Sequence, residues 1–196
     1  MALTTYAGLK ASVASWLNRT DLTTQIVDFI ALAEADIGRD VNVRAMETLT
    51  TGTLTGETLA HPTRFSEARR LTLAGKNYSF KIPSDYTDAV ARSSTDTIYT
   101  IIGSDFYILN GKSGDAYALT YSAAFASLSA DADTNWLLTN APDVYLFGAL
   151  RYGAIFMNDS EALTRYLAMY LAAVKNVNGT EQAAKYSGSR LVMRPG

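Results

Sequence analysis

Cysteine is missing from this 196-residue chain, and histidine occurs once. The first absence excludes disulfides, thiolate metal sites and cysteine nucleophiles together. The second excludes zinc centres built from several imidazoles and leaves His61 as the one histidine base for a triad. Charge is scarce as well, with 18% of residues Asp, Glu, Lys or Arg, below the usual quarter or so. So thin a charged shell suits a surface partly covered by neighbouring copies, or one rich in Thr, Ser and Ala. The formal net charge is −2, so bulk electrostatics do not call for nucleic acid. No run reaches the ~18 apolar residues of a membrane-spanning helix. Met1-Ala2-Leu3-Thr4-Thr5 has neither the basic nor the apolar region of a secretion signal. Synthesis and folding in a cytoplasm, with no membrane partner, are expected, and the Asn-x-Ser/Thr triplets at Asn18, Asn158 and Asn178 then have no glycan to accept.

What the chain does have is apolar mass, 48% of its residues, enough for one core or one core with a satellite domain. Its period changes twice. Leu3, Tyr6, Leu9, Val13, Trp16 and Leu17 recur at helical spacing, Asn18-Arg19-Thr20-Asp21 breaks the pattern, and Thr20 or Asp21 is positioned to cap a second helix. That helix carries Leu22, Ile26, Phe29, Ile30, Ala33 and Ile37 on one side, with Gln25, Asp28, Asp36 and Arg39 on the other. Two helices with so short a link predict an antiparallel hairpin.

From Glu47 onward threonine-rich alternation replaces the helical period. The pattern predicts strands over 48–55, 68–73, 78–82, 97–102, 105–109 and 117–121, separated by turns at Gly56, Pro62, Gly75-Lys76-Asn77, Pro83-Ser84-Asp85, Gly103-Ser104 and Asn110 to Gly114. Closely spaced short strands imply an antiparallel sheet or small barrel. Then Trp136, Leu137 and Leu138 supply a buried anchor, Asn140 reads as a cap, and Pro142 and Asp143 open a helix running to about Met157. After Asn158-Asp159-Ser160-Glu161 a fourth helix places Leu163, Tyr166, Leu167, Tyr170, Leu171 and Val174 on one stripe and fades by Gly179. The expected fold is α+β. Helical hairpins over 1–46 and 134–181 make a four-helix bundle, an antiparallel β domain over 47–133 is inserted, and 182–196 form an extended basic arm.

Three motifs mimic chemistry and fail on inspection. Gly111-Lys112-Ser113 ends like a phosphate loop, but the required earlier glycine is Phe106 and the segment lies between strands, which predicts a hairpin turn. Asp131-Ala132-Asp133-Thr134-Asn135 opens like a calcium loop, yet its sixth and twelfth positions are Trp136 and Pro142, so a solvated loop is expected. His61 beside Pro62 has no nucleophile-elbow pattern to serve and reads as a surface turn residue. No catalytic residue, cofactor or metal site is expected, and scattered carboxylates offer no marked pair. Tyr145, Tyr152, Tyr166 and Tyr170 on the last two helices suit either core packing or an interface.

In sequence order, several stretches are similar to one family. Trp16 to Leu22 resembles its inter-helix loop, Phe29 to Ile37 its second helix, and Arg44-Ala45-Met46-Glu47 its exit into a sheet. Pro62 to Leu71 resembles its proline–aromatic turn and strand, Tyr99 to Gly103 a strand–glycine pair, and Lys185-Tyr186-Ser187-Gly188 its tail. Leu128 to Leu150 is the nearest match, whereas Val90 to Asp96 is polar and shorter than expected. The chain thereby resembles the head-to-tail adaptors of tailed bacteriophages.

The resemblance implies a structural virion protein of the neck. Copies form a ring, taken as a dodecamer, beneath the portal protein; the ring extends the DNA channel and offers a platform to downstream tail or stopper proteins. Packaged double-stranded DNA passes through without sequence-specific binding. By the same resemblance the arm grips the portal, here through Lys185, Tyr186, Arg190, Leu191, Val192, Met193 and Arg194, while Trp136, Leu137, Leu138, Pro142 and Tyr145 are structural anchors. Two other readings stay open. Arg69-Arg70 with nearby aromatics suits a single-stranded nucleic-acid-binding module, and a stopper or tail-tube component is a further possibility that four helices disfavour.

Overall fold

A computed structural model describes residues 3–186, with the backbone alone for 182–186. The fold is α+β, with six helices and a curled seven-stranded sheet among these residues. The chain divides into two compact units, Met1–Ala45 with Phe125–Gly196, and Met46–Ala124.

The first unit is helical: α1 Tyr6–Leu17, α2 Thr23–Asp40, α4 Trp136–Asn140, α5 Pro142–Phe156 and α6 Ser160–Tyr186. The Thr5 hydroxyl accepts the Gly8 N–H and starts α1, which buries Tyr6, Leu9, Val13 and Leu17. Asn18 ends it in the left-handed region at φ 51°, returning its N–H to Ala14 and Ser15. Trp16, expected on the buried stripe, is instead 51% exposed and meets the Phe147 ring edge-on. The Leu22 backbone, not Thr20 or Asp21, precedes α2, and no side chain caps it. Asp21 is engaged by Arg19 at 2.6 Å, an ion pair and hydrogen bond that hold its carboxyl down at about 2.

Helix α5 is the element on which α1, α2, α4 and α6 all pack. Its glycines permit the approach. A Cβ on Gly148 would stand 3.1 Å from the Ala33 Cβ and 3.4 Å from the Tyr170 ring, so α2 and α6 both close on this one position. Helix α6 runs past Gly179 to Tyr186, correcting the expected fade. A lone helical glycine costs about 1 kcal/mol against alanine, and Glu181-Gln182-Ala183-Ala184-Lys185 beyond it are good helix formers. Residues 182–186 of the expected arm are therefore helix, and the remainder, with Arg190, Leu191, Val192, Met193 and Arg194, lies outside the described residues.

The second unit is built on β1 Glu47–Thr53, β2 Thr58–Ala60, β3 Phe65–Leu73, β4 Lys76–Phe80, β5 Ile98–Ile102, β6 Asp105–Ile108 and β7 Ala116–Ala123, in spatial order β1-β7-β3-β4-β5-β6-β2. Leu71, Leu73, Phe106, Ile108 and Leu119 form its fully buried centre. Two features depart from expectation. Pro83-Ser84-Asp85 is not a turn but the first turn of α3 Pro83–Ala91, with Pro83 where a missing N–H is harmless. This helix makes the crossover that sets β4 and β5 parallel, so the sheet is antiparallel everywhere except at that pair. Nor is Gly111-Lys112-Ser113 a hairpin tip. Strands β6 and β7 are not neighbours, and the connection folds against Leu54, whose N–H and carbonyl meet the Asp115 carbonyl and the Gly114 N–H.

Because Ala33 and the Tyr170 ring are both backed by core, Gly148→Val overpacks the centre of the helical unit. It should cost about 1–3 kcal/mol in chemical denaturation, although valine would be tolerated on an open helix face.

Candidate functional site

The polar centre of the helical unit is a seam between α2 and the C-terminal helices. Three carboxylates of α2, Glu34, Asp36 and Asp40, each receive a tyrosine hydroxyl. Tyr145 donates to Glu34 at 3.4 Å, Tyr152 to Asp36 at 2.6 Å and Tyr170 to Asp40 at 2.8 Å. Asp36 was expected on the solvated face of α2, but its side chain is only 15% exposed and also takes Arg151 of α5 and Arg39. The Arg151 guanidinium lies 4.2 Å from the Tyr170 ring centre, while its Nε is buried with no acceptor. Asn178 closes the far end, accepting the Asn42 N–H and donating to the Asp40 carbonyl.

Near Glu34 the seam continues into the expected anchor. Asn135 caps α4 by accepting the Leu138 N–H at 2.9 Å and donates to the Tyr145 oxygen at 2.7 Å and to the Ala126 carbonyl. Glu34 in turn accepts the Leu128 N–H. Asn140, expected to cap the helix opening at Pro142, does not do so: α5 follows Ala141 with no side-chain cap, the Asn140 amide bonds back to the Trp136 carbonyl, and Asn135 caps the separate short helix α4. Asn135 follows the extended loop and precedes Trp136-Leu137-Leu138, and that is the signal by which it could have been found. Leu137 and Leu138 are fully buried, whereas Trp136 is half-buried and stacked on Phe125 at 6.2 Å. Pro142 stands in the first turn of α5 after Ala141, and Tyr145 is 1% exposed. Burial pushes the Tyr145 and Tyr170 phenols up, and burial of Glu34 likewise raises its carboxyl.

Outside the seam, apolar side chains face solvent. On α2 these are Val27 and Leu32, and on α6 Leu167, Met169 and Leu171. Leu167 and Leu171 were expected in the buried stripe, but the buried side of α6 is Ala162, Tyr166, Tyr170, Ala173 and Val174. Lys185 and Tyr186 continue the α6 backbone.

Among the described residues no group of three or more His, Asp or Glu could hold a metal ion, and no helix is long and apolar enough to cross a membrane. Asp133 accepts N–H bonds from Ala130 and Ser129, closing its own loop and lowering its carboxyl, so the calcium-like stretch is a turn. His61 is not a surface turn residue. Its ring lies 4.1 Å from Phe65 and 5.1 Å from Phe106, and its Nε2 is buried without a partner. Arg69 pairs with Glu67 at 3.2 Å and Arg70 with Asn77 at 2.8 Å, so each of these cations already meets a neighbour in the sheet.

The seam carboxylates should respond differently to neutralisation. Asp36→Ala strands Arg151 in a half-dry site and should cost about 3 kcal/mol. Glu34 has its folded value raised, so the stability it contributes is complete below the unfolded carboxylate range and fades as pH rises through that raised value. Glu34→Gln keeps an oxygen for Leu128. It should therefore gain on the unaltered protein in denaturation midpoints taken from pH 4 to pH 7.

Compared with curated proteins, the chain finds no match. Compared with protein families, residues 4–194 match SU10 adaptor protein. That match takes in both helical segments and the sheet between them, and on it the chain belongs to the SU10 adaptor protein family, the head-to-tail adaptors of phages.

Proposed function

We propose that this structural phage protein forms a ring of identical copies, a dodecamer, beneath the portal, extends the channel for packaged double-stranded DNA, and presents a platform to tail or stopper proteins. The observation that carries this reading is the family match over 4–194, which spans the C-terminal arm as well as the folded units. The helical unit supports it physically. A cyclic ring uses heterologous contacts, so every copy needs two different faces. Helix α2 offers Val27 and Leu32, and α6 offers Leu167, Met169 and Leu171. Short apolar contacts of this kind bind modestly, and repetition around a ring raises their effective concentration.

The arm is the portal-binding segment on this reading. Lys185 and Tyr186 lead out of α6, and Leu191, Val192 and Met193 provide apolar anchors between Arg190 and Arg194. A segment that gains order on docking binds modestly per unit area, which again favours many copies acting together. DNA passing through the channel needs no base-reading contacts, in keeping with a net charge of −2.

Electron microscopy of the protein mixed with its portal tests the whole arrangement, with rings seated on portal as the expected image. Deleting Ser187–Gly196 should abolish portal capture in a pull-down and leave the thermal midpoint almost unchanged. Full docking by the shortened chain would remove the arm from the account.

A further inference from the structure

A groove of about 340 Å³ opens between the α4–α5 corner and the C-terminal part of α6. Trp136 and Asn140 of α4, Asp143 of α5, and Asn176, Thr180 and Glu181 of α6 line it. Its chemistry is one-sided. Two carboxylates and the Trp136 indole share the groove with two amides and a hydroxyl, and no cation lines it among the described residues. Neither Asp143 nor Glu181 has an ion-pair partner among the described residues. An aromatic face beside carboxylates is the setting that holds a guanidinium, by charge and by attraction to the ring.

The chain carries such a ligand within reach. From 182 to 196 it has Lys185, Arg190 and Arg194 and no acidic residue. Glu181 precedes Tyr186, the last described residue, by five positions on α6, about 7.5 Å of helix rise. Arg190 lies four residues beyond Tyr186, and four extended residues span about 13 Å. A chain turning back along α6 can therefore set Arg190 over Trp136 and between Asp143 and Glu181. Leu191, one residue further, would come level with Val177 in the same groove.

We propose that this groove is a resting site for the protein's own C-terminal arm, occupied through Arg190 and vacated when the portal takes the arm. The inference rests on the reading of the arm as the portal-binding segment and adds its regulation: groove and portal compete for the same residues. Docking is then conditional, because a free copy keeps its arm on its own surface.

The cysteine-free chain makes the test direct. Full-length protein carrying Asn176→Cys with Leu191→Cys should form an intrachain disulfide under mild oxidation, identified by peptide mass mapping. The pair Lys175→Cys with Leu191→Cys, at the same height but on the open face of α6, should not. Glu181→Lys, which suits the C-terminal half of a helix, should reduce the Asn176 cross-link several-fold, and adding Arg190→Glu should restore it. Glu181→Lys alone should also bind portal several-fold more tightly. Equal cross-linking at both positions, or a cross-link indifferent to the Glu181 charge, would overturn the resting site. Cross-linking as expected in a chain that never captures portal would instead sink the portal-binding reading and leave the groove contact standing.

Discussion

The α2 carboxylates decide how this molecule closes. Glu34, Asp36 and Asp40 lie within two turns of one helix, and their partners Tyr145, Tyr152 and Tyr170 are more than a hundred residues away in sequence. A buried ion pair such as Asp36 with Arg151 gives little net stability, since desolvation offsets much of the attraction. What it imposes is register. Sliding α2 by one turn against α5 and α6 would set one of Asp36 and Asp40 where the other had been and leave either Arg151 or Tyr170 without a carboxylate in a half-dry interior. Apolar stripes tolerate such a slip; paired polar groups do not. The segments before residue 46 and after residue 124 therefore meet in one alignment, and the intervening sheet can form its own core, centred on Leu71, Phe106 and Leu119, without contributing to that seam.

Much of this was legible because the signals were local. The α1 stripe, the left-handed stop at Asn18, the Pro142 start and the threonine alternation of β1 all depend on near neighbours in sequence, and helix, strand and helix follow in the expected order. The misses were of another kind. Helix α3 buries little beyond Ala89, so it has almost no stripe to detect, and its opening Pro83-Ser84-Asp85 has the composition of a turn. The parallel pairing of β4 and β5 then follows from a helix that the pattern does not reveal. Strand periodicity reports which residues alternate, never which strands become neighbours, and Gly111-Lys112-Ser113 looked like a hairpin for that reason.

The polar seam was illegible for a more general cause. A helical wheel sorts residues by polarity, and it assigned Asp36 to water because aspartate is usually there. Its burial depends on an arginine and a tyrosine that arrive from α5, information no local window holds. Asn135 is the same case in miniature: one amide caps α4 and also reaches Tyr145 and Ala126, and only the cap has a sequence signature. On α6, Tyr166 and Tyr170 face inward while Leu167 and Leu171 face out. The tyrosines prevail at the interior because their rings pack and the Tyr170 hydroxyl finds Asp40, leaving the leucines to solvent or to a partner.

That inversion bears on the proposed role. A conventional surface helix would present lysine and glutamate where α6 presents Leu167 and Leu171, and the scarcity of charge has its counterpart here. Leu167 and Leu171 stand one turn apart on the same side of α6, and Val27 and Leu32 are on α2, so each helix offers a short apolar contact. Each contact between copies is then weak by itself, and a ring becomes stable only when something holds many copies in place at once. On this reading the portal is the template, the arm is the tether, and the rigid polar seam ensures that every tethered copy offers its neighbours the same two faces.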